Sequence, residues 1–216
     1  PAGFYNDSNG YHIAADITVN NGDTAEFSNT FLIIDDCVKI TVKEGGTLLI
    51  DSSIVSSCSN WQGIVVENGG SGRGHLKMTS SHLSYATLGI LARNGGQIYI
   101  GNDTFENNYA HIGVAASSIS NQDSVRIGRC MFGRVRYNFT DSTYTCGHDD
   151  WVGSFSYPNL AGDTDIWRPL VFIDSAEDVL VTQNLFAIDV FYRPNPPGST
   201  LPINLFNGRV GLLSQN

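Results

Sequence analysis

The stretch that decides the fold is Gly89-Ile-Leu-Ala-Arg-Asn-Gly-Gly-Gln-Ile-Tyr-Ile100, in which a Gly-Gly pair separates two short apolar runs. In the second run Ile98 and Ile100 recur at a period of two, which is typical of a strand with one buried face. Glycine readily takes the positive φ angles of a tight corner. The stretch therefore predicts a strand, a tight turn and a second strand.

The same pattern recurs along the chain. Earlier copies are Ile40-Thr-Val-Lys-Glu-Gly-Gly-Thr-Leu-Leu-Ile50 and Gly63-Ile-Val-Val-Glu-Asn-Gly-Gly70 followed by His75-Leu-Lys-Met78. A weaker copy is Gly113-Val-Ala-Ala116 followed by Ser124-Val-Arg-Ile127. The Gly-Gly pairs begin at residues 45, 69 and 95, and the Gly-Ile or Gly-Val pairs begin at 63, 89 and 113. Both markers therefore indicate a repeat of about 25 residues.

A third short apolar element follows the second strand of each copy, in Ser53-Ile-Val55, His82-Leu83, Thr104-Phe105 and Cys130-Met-Phe132. Three short strands per repeat describe one coil of a parallel β-helix, because a lone coil cannot bury its inward face and stacked coils can. We therefore predict an all-β fold, a right-handed parallel β-helix. A β-sandwich has strands at a similar spacing, but it does not require a Gly-Gly pair at every step. The predicted core comprises Ile64, Val66, Leu76, Ile90, Ile98, Ile100, Val125 and Ile127.

The repeat predicts a single domain over residues 1–216 that belongs to a longer protein. Residues 1–35 are interpreted as an N-terminal cap or first coil, and residues 36–137 as regular coils. Residues 138–168 are too long for a coil turn and too polar for core strands, so they are interpreted as an inserted loop. The last coils are expected within residues 169–216.

Charge and composition exclude several classes of protein. The 216 residues include 12 Lys or Arg and 21 Asp or Glu, giving a formal net charge of −9. Without a basic cluster, neither nucleic acid nor an anionic lipid surface is an expected partner. No run of 18 apolar residues occurs, so we expect no membrane span. Charged residues are only 15%, which argues against a helical bundle.

The four cysteines are Cys37, Cys58, Cys130 and Cys146, and none forms a CxxC pair of the kind that binds structural zinc. Four cysteines allow three disulfide connectivities. For an oxidising compartment we favour the pairs closest in sequence, Cys37 with Cys58 and Cys130 with Cys146; the alternative is four buried thiols. Cys37 and Cys58 are 21 residues apart, close to one coil, and a coil spacing of about 4.8 Å suits a disulfide.

Two segments carry a family resemblance, Glu44-Gly-Gly-Thr-Leu-Leu-Ile-Asp51 and Cys58-Ser-Asn-Trp-Gln-Gly-Ile-Val-Val-Glu67. They resemble the β-helix repeats of large secreted proteins of the Bacteroidota. Those proteins are often similar in fold to the pectate-lyase superfamily, and many carry a C-terminal signal for type IX secretion. The resemblance covers residues 36–135 and implies a secreted or bacterial cell-surface location.

The motifs of related polysaccharide-cleaving enzymes do not occur here as a set. His148, Asp149 and Asp150 stand together, but they lie in the inserted loop. A hydrolytic pair of carboxylates needs a rigid surface, for which a long loop is a poor place. We therefore predict no catalytic residues and lean towards a protein that is not an enzyme.

A calcium site is the cofactor alternative. Asp35 and Asp36 are adjacent, and Asp51 follows one strand later. Calcium takes six to eight oxygen ligands, and these three carboxylates fall short of that number. We expect no cofactor and no bound metal, with solvated turns at these positions.

The inserted loop is the surface most expected to contact a partner. Trp151, Tyr157 and Trp167 lie near Asp149 and Asp150, and aromatic faces beside polar groups can bind a carbohydrate. The alternative is that these rings pack the loop onto the wall of the β-helix. Ordered loops on rigid scaffolds often carry binding sites.

Together these features predict a non-catalytic module that acts as a rigid spacer, adhesin or assembly element. The alternative is a β-helix that binds or cleaves polysaccharides. Expected partners are other domains of the same long protein, cell-surface or secretion proteins, and glycans. Trp61 and the pair Asn107-Asn108 are expected to have structural roles at coil corners.

Overall fold

The computed structural model describes residues 4–7, 10–58, 60–68, 72–108, 110–114, 125–133, 171–174, 179–186 and 212–215. Every regular element among them is a β-strand, and the strands are numbered β1 to β21 in chain order. This part of the chain holds no helix that is long and apolar enough to cross a membrane.

The strands form three sheets. Sheet A contains, in spatial order, β1 (Phe4–Asp7), β2 (Gly10–Ile13), β5 (Phe31–Ile34), β8 (Ile54–Ser56), β11 (His82–Ser84), β14 (Thr104–Glu106), β17 (Met131–Phe132) and β20 (Leu185–Phe186). Sheet B contains β3 (Ile17–Val19), β6 (Lys39–Val42), β9 (Gly63–Val66), β12 (Leu88–Ala92), β15 (Ala110–Val114), β18 (Val171–Asp174) and β21 (Leu212–Gln215). Sheet C contains β4 (Thr24–Ser28), β7 (Thr47–Asp51), β10 (His75–Thr79), β13 (Gln97–Gly101), β16 (Val125–Gly128) and β19 (Val179–Thr182).

The chain visits sheets A, B and C in turn, so each coil adds one strand to every sheet. All the strand pairs are parallel except β1 with β2, which pair antiparallel at the start of the described chain. This arrangement is a parallel β-solenoid and confirms the predicted β-helix. The register step varies: Thr47 pairs with His75, 28 residues later, whereas His75 pairs with Gln97, 22 residues later.

The core is the inward face of the stacked coils. On sheet C one inward row runs from Leu48 through Leu76 and Ile98 to Val125, because these residues pair directly across neighbouring strands. All eight predicted core residues are at most 2% exposed, which confirms the prediction. Burying each such side chain contributes about 1.5–3 kcal/mol, so the rows stabilise the stack along its whole length.

The corner between sheets B and C, the B–C corner, uses both glycines of the repeated pair. Gly45 and Gly95 have φ of 70° and 88°, which confirms the positive φ predicted for this turn. A Cβ on Gly46 or Gly96 would come closer than 3.0 Å to the carbonyl oxygen of Val19 or Val66 on the previous coil. The first glycine therefore turns the chain, and the second lets two coils approach.

The corner between sheets C and A, the C–A corner, is two residues long in every described coil from β4 onward. Its first residue has φ between 51° and 60° and is never glycine; these residues are Asn29, Ser52, Ser80, Asn102, Arg129 and Gln183. A left-handed conformation costs an L-residue roughly 1–2 kcal/mol. The tertiary structure must therefore stabilise this corner, and the side chain of its second residue does so, as described below.

The predicted disulfide pairs are wrong. Cys58 and Cys130 are free thiols, Cys58 exposed and Cys130 2% exposed, and each belonged to a different predicted pair. The backbone N–H of Cys37 donates to the carbonyl of Asn60 at 3.0 Å, which places Cys37 beside Asn60 rather than Cys58. Cys130 instead points into the solenoid, with its Sγ 3.4 Å from the carbonyl oxygen of Gly128. Cys146 lies outside the described residues.

The strand order shows where a coil is lengthened. Ile112 of β15 pairs with Val171 of β18, and Phe132 of β17 pairs with Phe186 of β20. The connection from β17 to β18 is therefore much longer than the connection from β14 to β15, although both join sheet A to sheet B. The predicted loop at 138–168 lies in that interval and outside the described residues.

Candidate functional site

The binding residues predicted in the inserted loop are Asp149, Asp150, Trp151, Tyr157 and Trp167. All five lie outside the described residues, as does His148. Their assignment therefore stays a prediction. The candidate site that the structure does describe is on the outer wall of sheet C.

Two of the carboxylates considered for the calcium alternative, Asp35 and Asp51, lie on different sheets. Asp35 follows β5 of sheet A, whereas Asp51 ends β7 of sheet C. The Oδ1 of Asp35 is 2.6 Å from the Nε2 of His12, an interaction between neighbouring coils of sheet A. Within the described ranges, no three His, Cys, Asp or Glu side chains are grouped as a metal site would require.

The outer wall of sheet C carries a row of side chains that run parallel to the solenoid axis. Strand residues alternate between the core and the wall, so each strand contributes one outward side chain to this row at the middle of the sheet. The registers align these members as Glu26, Leu49, Lys77, Tyr99, Arg126 and Leu180. Residues far apart in sequence therefore become neighbours at the strand spacing of about 4.8 Å.

A shallow depression lies on this wall around β10 and β13. The outward side chains that line it are Thr47, His75, Lys77, Gln97, Tyr99 and Arg126. Its volume is about 180 Å³, below the roughly 300–1,000 Å³ of pockets for drug-sized ligands. The depression is therefore too small to enclose a drug-sized ligand.

Tyr99 is the aromatic centre of the depression. Its side chain is 51% exposed, and the Nζ of Lys77 lies 5.9 Å from its ring centroid. Large aromatic side chains usually bury their rings, so the half-exposed ring of Tyr99 is a candidate contact surface. The cation over the ring adds an attraction between Lys77 and Tyr99 of about 0.5–1 kcal/mol at an exposed site.

Sequence reasoning missed this site although Tyr99 belongs to the stretch that decides the fold. The available signal was the alternation of Ile98 and Ile100 around Tyr99, which places the tyrosine on the outer face. The alternation does not place Lys77 or Arg126 beside it. Only the strand register brings these three residues together.

The C–A corner contains a buried polar ladder made by the second corner residue of each coil. The backbone N–H of each residue donates to the side chain of its counterpart on the next coil: Thr30 to Ser53 Oγ at 3.1 Å, Ser53 to Ser81 Oγ at 3.0 Å, Ser81 to Asp103 Oδ1 at 2.7 Å, Asp103 to Cys130 Sγ, and Cys130 to Asn184 Oδ1 at 2.8 Å. A buried backbone N–H group that is left without an acceptor costs about 1–3 kcal/mol of stability. The ladder therefore offsets the strain of the turn.

Asp103 is the charged member of the ladder and is 1% exposed. Burial raises the pKa of its carboxyl group from 3.8 to about 7, and the negative charge of Asp51 acts in the same direction. The backbone N–H groups of Ser81 and Gly101 donate to the carboxylate and lower the pKa in part. The carboxyl group therefore titrates near neutrality inside the wall.

Cys130 follows Asp103 in the ladder and is not an activated thiol. Burial raises its pKa to about 11, and the negative charge of Asp103 contributes to the increase. A reactive cysteine needs a lowered pKa and access to solvent. Cys130 is therefore a packing and hydrogen-bonding residue.

The corner between sheets A and B, the A–B corner, has a second buried polar group. The Oδ1 of Asn108 accepts from the N–H of Ala86 at 2.8 Å, and its Nδ2 donates to the carbonyl of Leu83 at 3.1 Å. Burial lowers the pKa of His111 to about 4, so its ring is neutral. The Nδ1 of His111 is 3.0 Å from the Nδ2 of Asn108, and its Nε2 donates to the carbonyl of Gly133. The indole N–H of Trp61, fully buried, donates to Ser84. The structural roles predicted for Asn108 and Trp61 are confirmed.

The fold and the site define a class: a parallel β-solenoid whose corners are hydrogen-bonded internally and whose sheet C wall presents an open aromatic and basic surface. No family model, no curated protein and no solved structure matches this chain.

Proposed function

We propose that this chain is a non-catalytic, rigid module that acts as a spacer, adhesin or assembly element. The observation that carries the proposal is the ladder at the C–A corner. It repeats the same two-residue turn in successive coils and links each coil to the next through a side chain as well as through three sheets. A coil cannot bend away from its neighbour without breaking both kinds of bond.

The packing supports the same function. The inward rows leave core side chains such as Leu48, Ile64 and Ile90 fully buried, and interiors packed in this way transmit strain with little compression. On the B–C corner, Glu67 forms ion pairs with Lys43 and Arg93, its partners on the previous and the next coil. These contacts join the coils at a second corner.

We further propose that the module belongs to a secreted or cell-surface protein of the Bacteroidota that is exported by the type IX system and is related in fold to the pectate-lyase superfamily. The support is the repeat style of residues 36–135. Its partners would then be other domains of the same long protein, or secretion and surface proteins. Antibody labelling of intact cells tests the location: surface labelling is expected, and labelling only after lysis would contradict it.

Hydrogen exchange tests the rigidity. The amide hydrogens of Ser53, Ser81, Asp103 and Cys130 are expected to exchange only by global unfolding, because they donate inside the ladder. Their exchange through local opening, well below the free energy of global unfolding, would contradict a rigid module.

The non-catalytic assignment has its own test, in which acidic and neutral polysaccharides are incubated with the protein and their chain length is measured. Shortening of any chain would contradict the non-catalytic assignment.

A second function, polysaccharide binding, is favoured by one observation. Tyr99 stands half exposed on a flat wall beside Lys77, Gln97 and His75, and a flat apolar face with polar neighbours is a surface on which sugars bind. Affinity electrophoresis through gels that contain single polysaccharides tests it. Retardation of the protein by at least one polysaccharide is expected, and equal mobility in every gel would contradict it.

A further inference from the structure

We infer that the outer wall of sheet C binds an anionic saccharide chain, with one sugar ring against Tyr99 and acid groups of the ligand at Lys77 and Arg126. The inference rests on the polysaccharide-binding function proposed above and deepens it by naming the charge of the ligand, its orientation and the site.

The side chains that line the depression supply donors and no acid. Lys77 and Arg126 are cationic, and the Nη1 of Arg126 also donates to the carbonyl of Val125 at 3.1 Å. Gln97, Thr47 and the hydroxyl of Tyr99 are neutral hydrogen-bonding groups, and no Asp or Glu lines the depression. This local excess of positive charge stands out in a chain whose formal net charge is −9. The wall therefore complements a ligand that carries negative charge and many oxygen acceptors.

Lys77 differs from two cations at the B–C corner, Lys43 and Arg93. Lys43 and Arg93 both form ion pairs with the carboxylate of Glu67, so their charges are already paired within the protein. Lys77 is within 4.0 Å of no carboxylate in the described part of the chain, and its ammonium group lies over the Tyr99 ring instead. An ammonium group held beside an open aromatic ring is available to an incoming anion.

The register sets the direction of the ligand. Lys77, Tyr99 and Arg126 are paired on three successive strands, so they form a line across the strands and along the solenoid axis. At the usual strand spacing, Lys77 and Arg126 lie roughly 10 Å apart with the tyrosine ring between them. A chain of pyranose rings laid along this line places one ring on Tyr99 and acid groups of the rings on either side at the two cations.

The negative charge could be a carboxylate or a sulfate ester, and the two sources share the same recognition chemistry. Either oxyanion accepts hydrogen bonds from the ammonium and guanidinium groups, and either is carried on a ring with an apolar face. A polyanion without sugar rings would satisfy the cations and leave Tyr99 without a partner. The wall therefore selects for charge and ring together.

Titration calorimetry on the full chain tests the inference with a uronic-acid hexasaccharide, a sulfated hexasaccharide, a neutral hexasaccharide and polyglutamate. Binding is expected for one or both anionic sugars, weakened by added salt, and about tenfold weaker for Tyr99→Ala and for Lys77→Gln. Lys39→Gln on the sheet B wall and Met131→Ala on the sheet A wall are matched controls that should bind as the parent does. Far-UV circular dichroism checks that all four variants are folded.

The outcomes distinguish the inferred anionic-sugar site from polysaccharide binding in general and from the rigid-module function. Equal binding of the neutral sugar, equal binding of polyglutamate, or unchanged affinity in Lys77→Gln would overturn the inferred anionic-sugar site while polysaccharide binding stands. If all three sugars fail to bind the parent protein, both the site and the polysaccharide-binding function are overturned. The rigid-module function is judged separately by hydrogen exchange. Should Tyr99→Ala prove unfolded, Lys77→Gln decides, because it alters only an exposed charge.

Discussion

The Oδ1 of Asp103 accepts a hydrogen bond of 2.7 Å from the backbone N–H of Ser81, which lies one coil earlier. The same carboxylate accepts from the N–H of Gly101 at 2.8 Å through its other oxygen. A carboxyl group with a pKa of about 7 thus serves as a structural acceptor between two coils. Stability and protonation are linked at this position.

The linkage predicts that stability falls as the pH rises. The pKa of Asp103 is about 7 in the folded chain against 3.8 as its ordinary value, so the folded state binds the proton more tightly. The stabilisation of the folded state that comes from this tighter proton binding is fully present below pH 3.8 and is lost between pH 3.8 and about 7. At most about 4 kcal/mol is involved, at about 1.4 kcal/mol for each unit of pKa.

Urea unfolding at a series of pH values measures this effect. Asp103→Asn keeps an oxygen acceptor and cannot ionise, so its free energy of unfolding should vary less between pH 4 and 7 than that of the parent protein. Asp23→Asn, an exposed position, should retain the parent's pH dependence. If Asp103→Asn and the parent change in parallel, Asp103 does not titrate in this range.

Replacing Ile100 with Asp should lower the free energy of unfolding by several kcal/mol, because the change buries an unpaired charge in the core. Ile100 is 1% exposed, whereas Tyr99 next to it on β13 is 51% exposed. Tyr99→Asp is therefore the matched control and should cost much less. Equal urea midpoints for the two variants would contradict the assignment of inward and outward faces on this strand.

Gly96→Ala should destabilise the protein by about 1–3 kcal/mol, the usual cost of forcing atoms into a packed interior. An added Cβ would press against the carbonyl oxygen of Val66 on the previous coil. At Gly101 an added Cβ meets its nearest atom, in the Tyr99 ring, at an ordinary 3.5 Å. Thermal unfolding should therefore show a lower midpoint for Gly96→Ala and little change for Gly101→Ala.

The two free thiols should differ in reactivity. Cys58 is exposed, whereas Cys130 is buried and has a pKa of about 11. A thiol-specific reagent at neutral pH should label Cys58 in the native protein and Cys130 only after unfolding. Peptide mapping identifies the labelled residue; recovery of Cys58 in a disulfide with Cys37, and of Cys130 with Cys146, would restore the pairs that the sequence suggested.

How far the sequence predicts this molecule can be judged from single positions. The inward rows of Ile98, Ile100, Val125 and Ile127 follow from alternation within one strand, and the turn at Gly95 follows from the conformations that glycine allows. These are local properties, and the structure confirms each of them. The same alternation carried no information on the corners that turn at Ser52, Asn102 or Arg129.

The sequence by itself determined the coil: three short strands, a buried inward face and a Gly-Gly corner. Only the tertiary structure decided which residues of different coils meet. It placed Lys77, Tyr99 and Arg126 in one row, set Cys37 beside Asn60 rather than Cys58, and buried Asp103 above Cys130. The physical reason is that the register between coils depends on the summed lengths of all the corners in between. Those lengths vary from coil to coil, whereas the face on which a side chain lies depends only on its own strand.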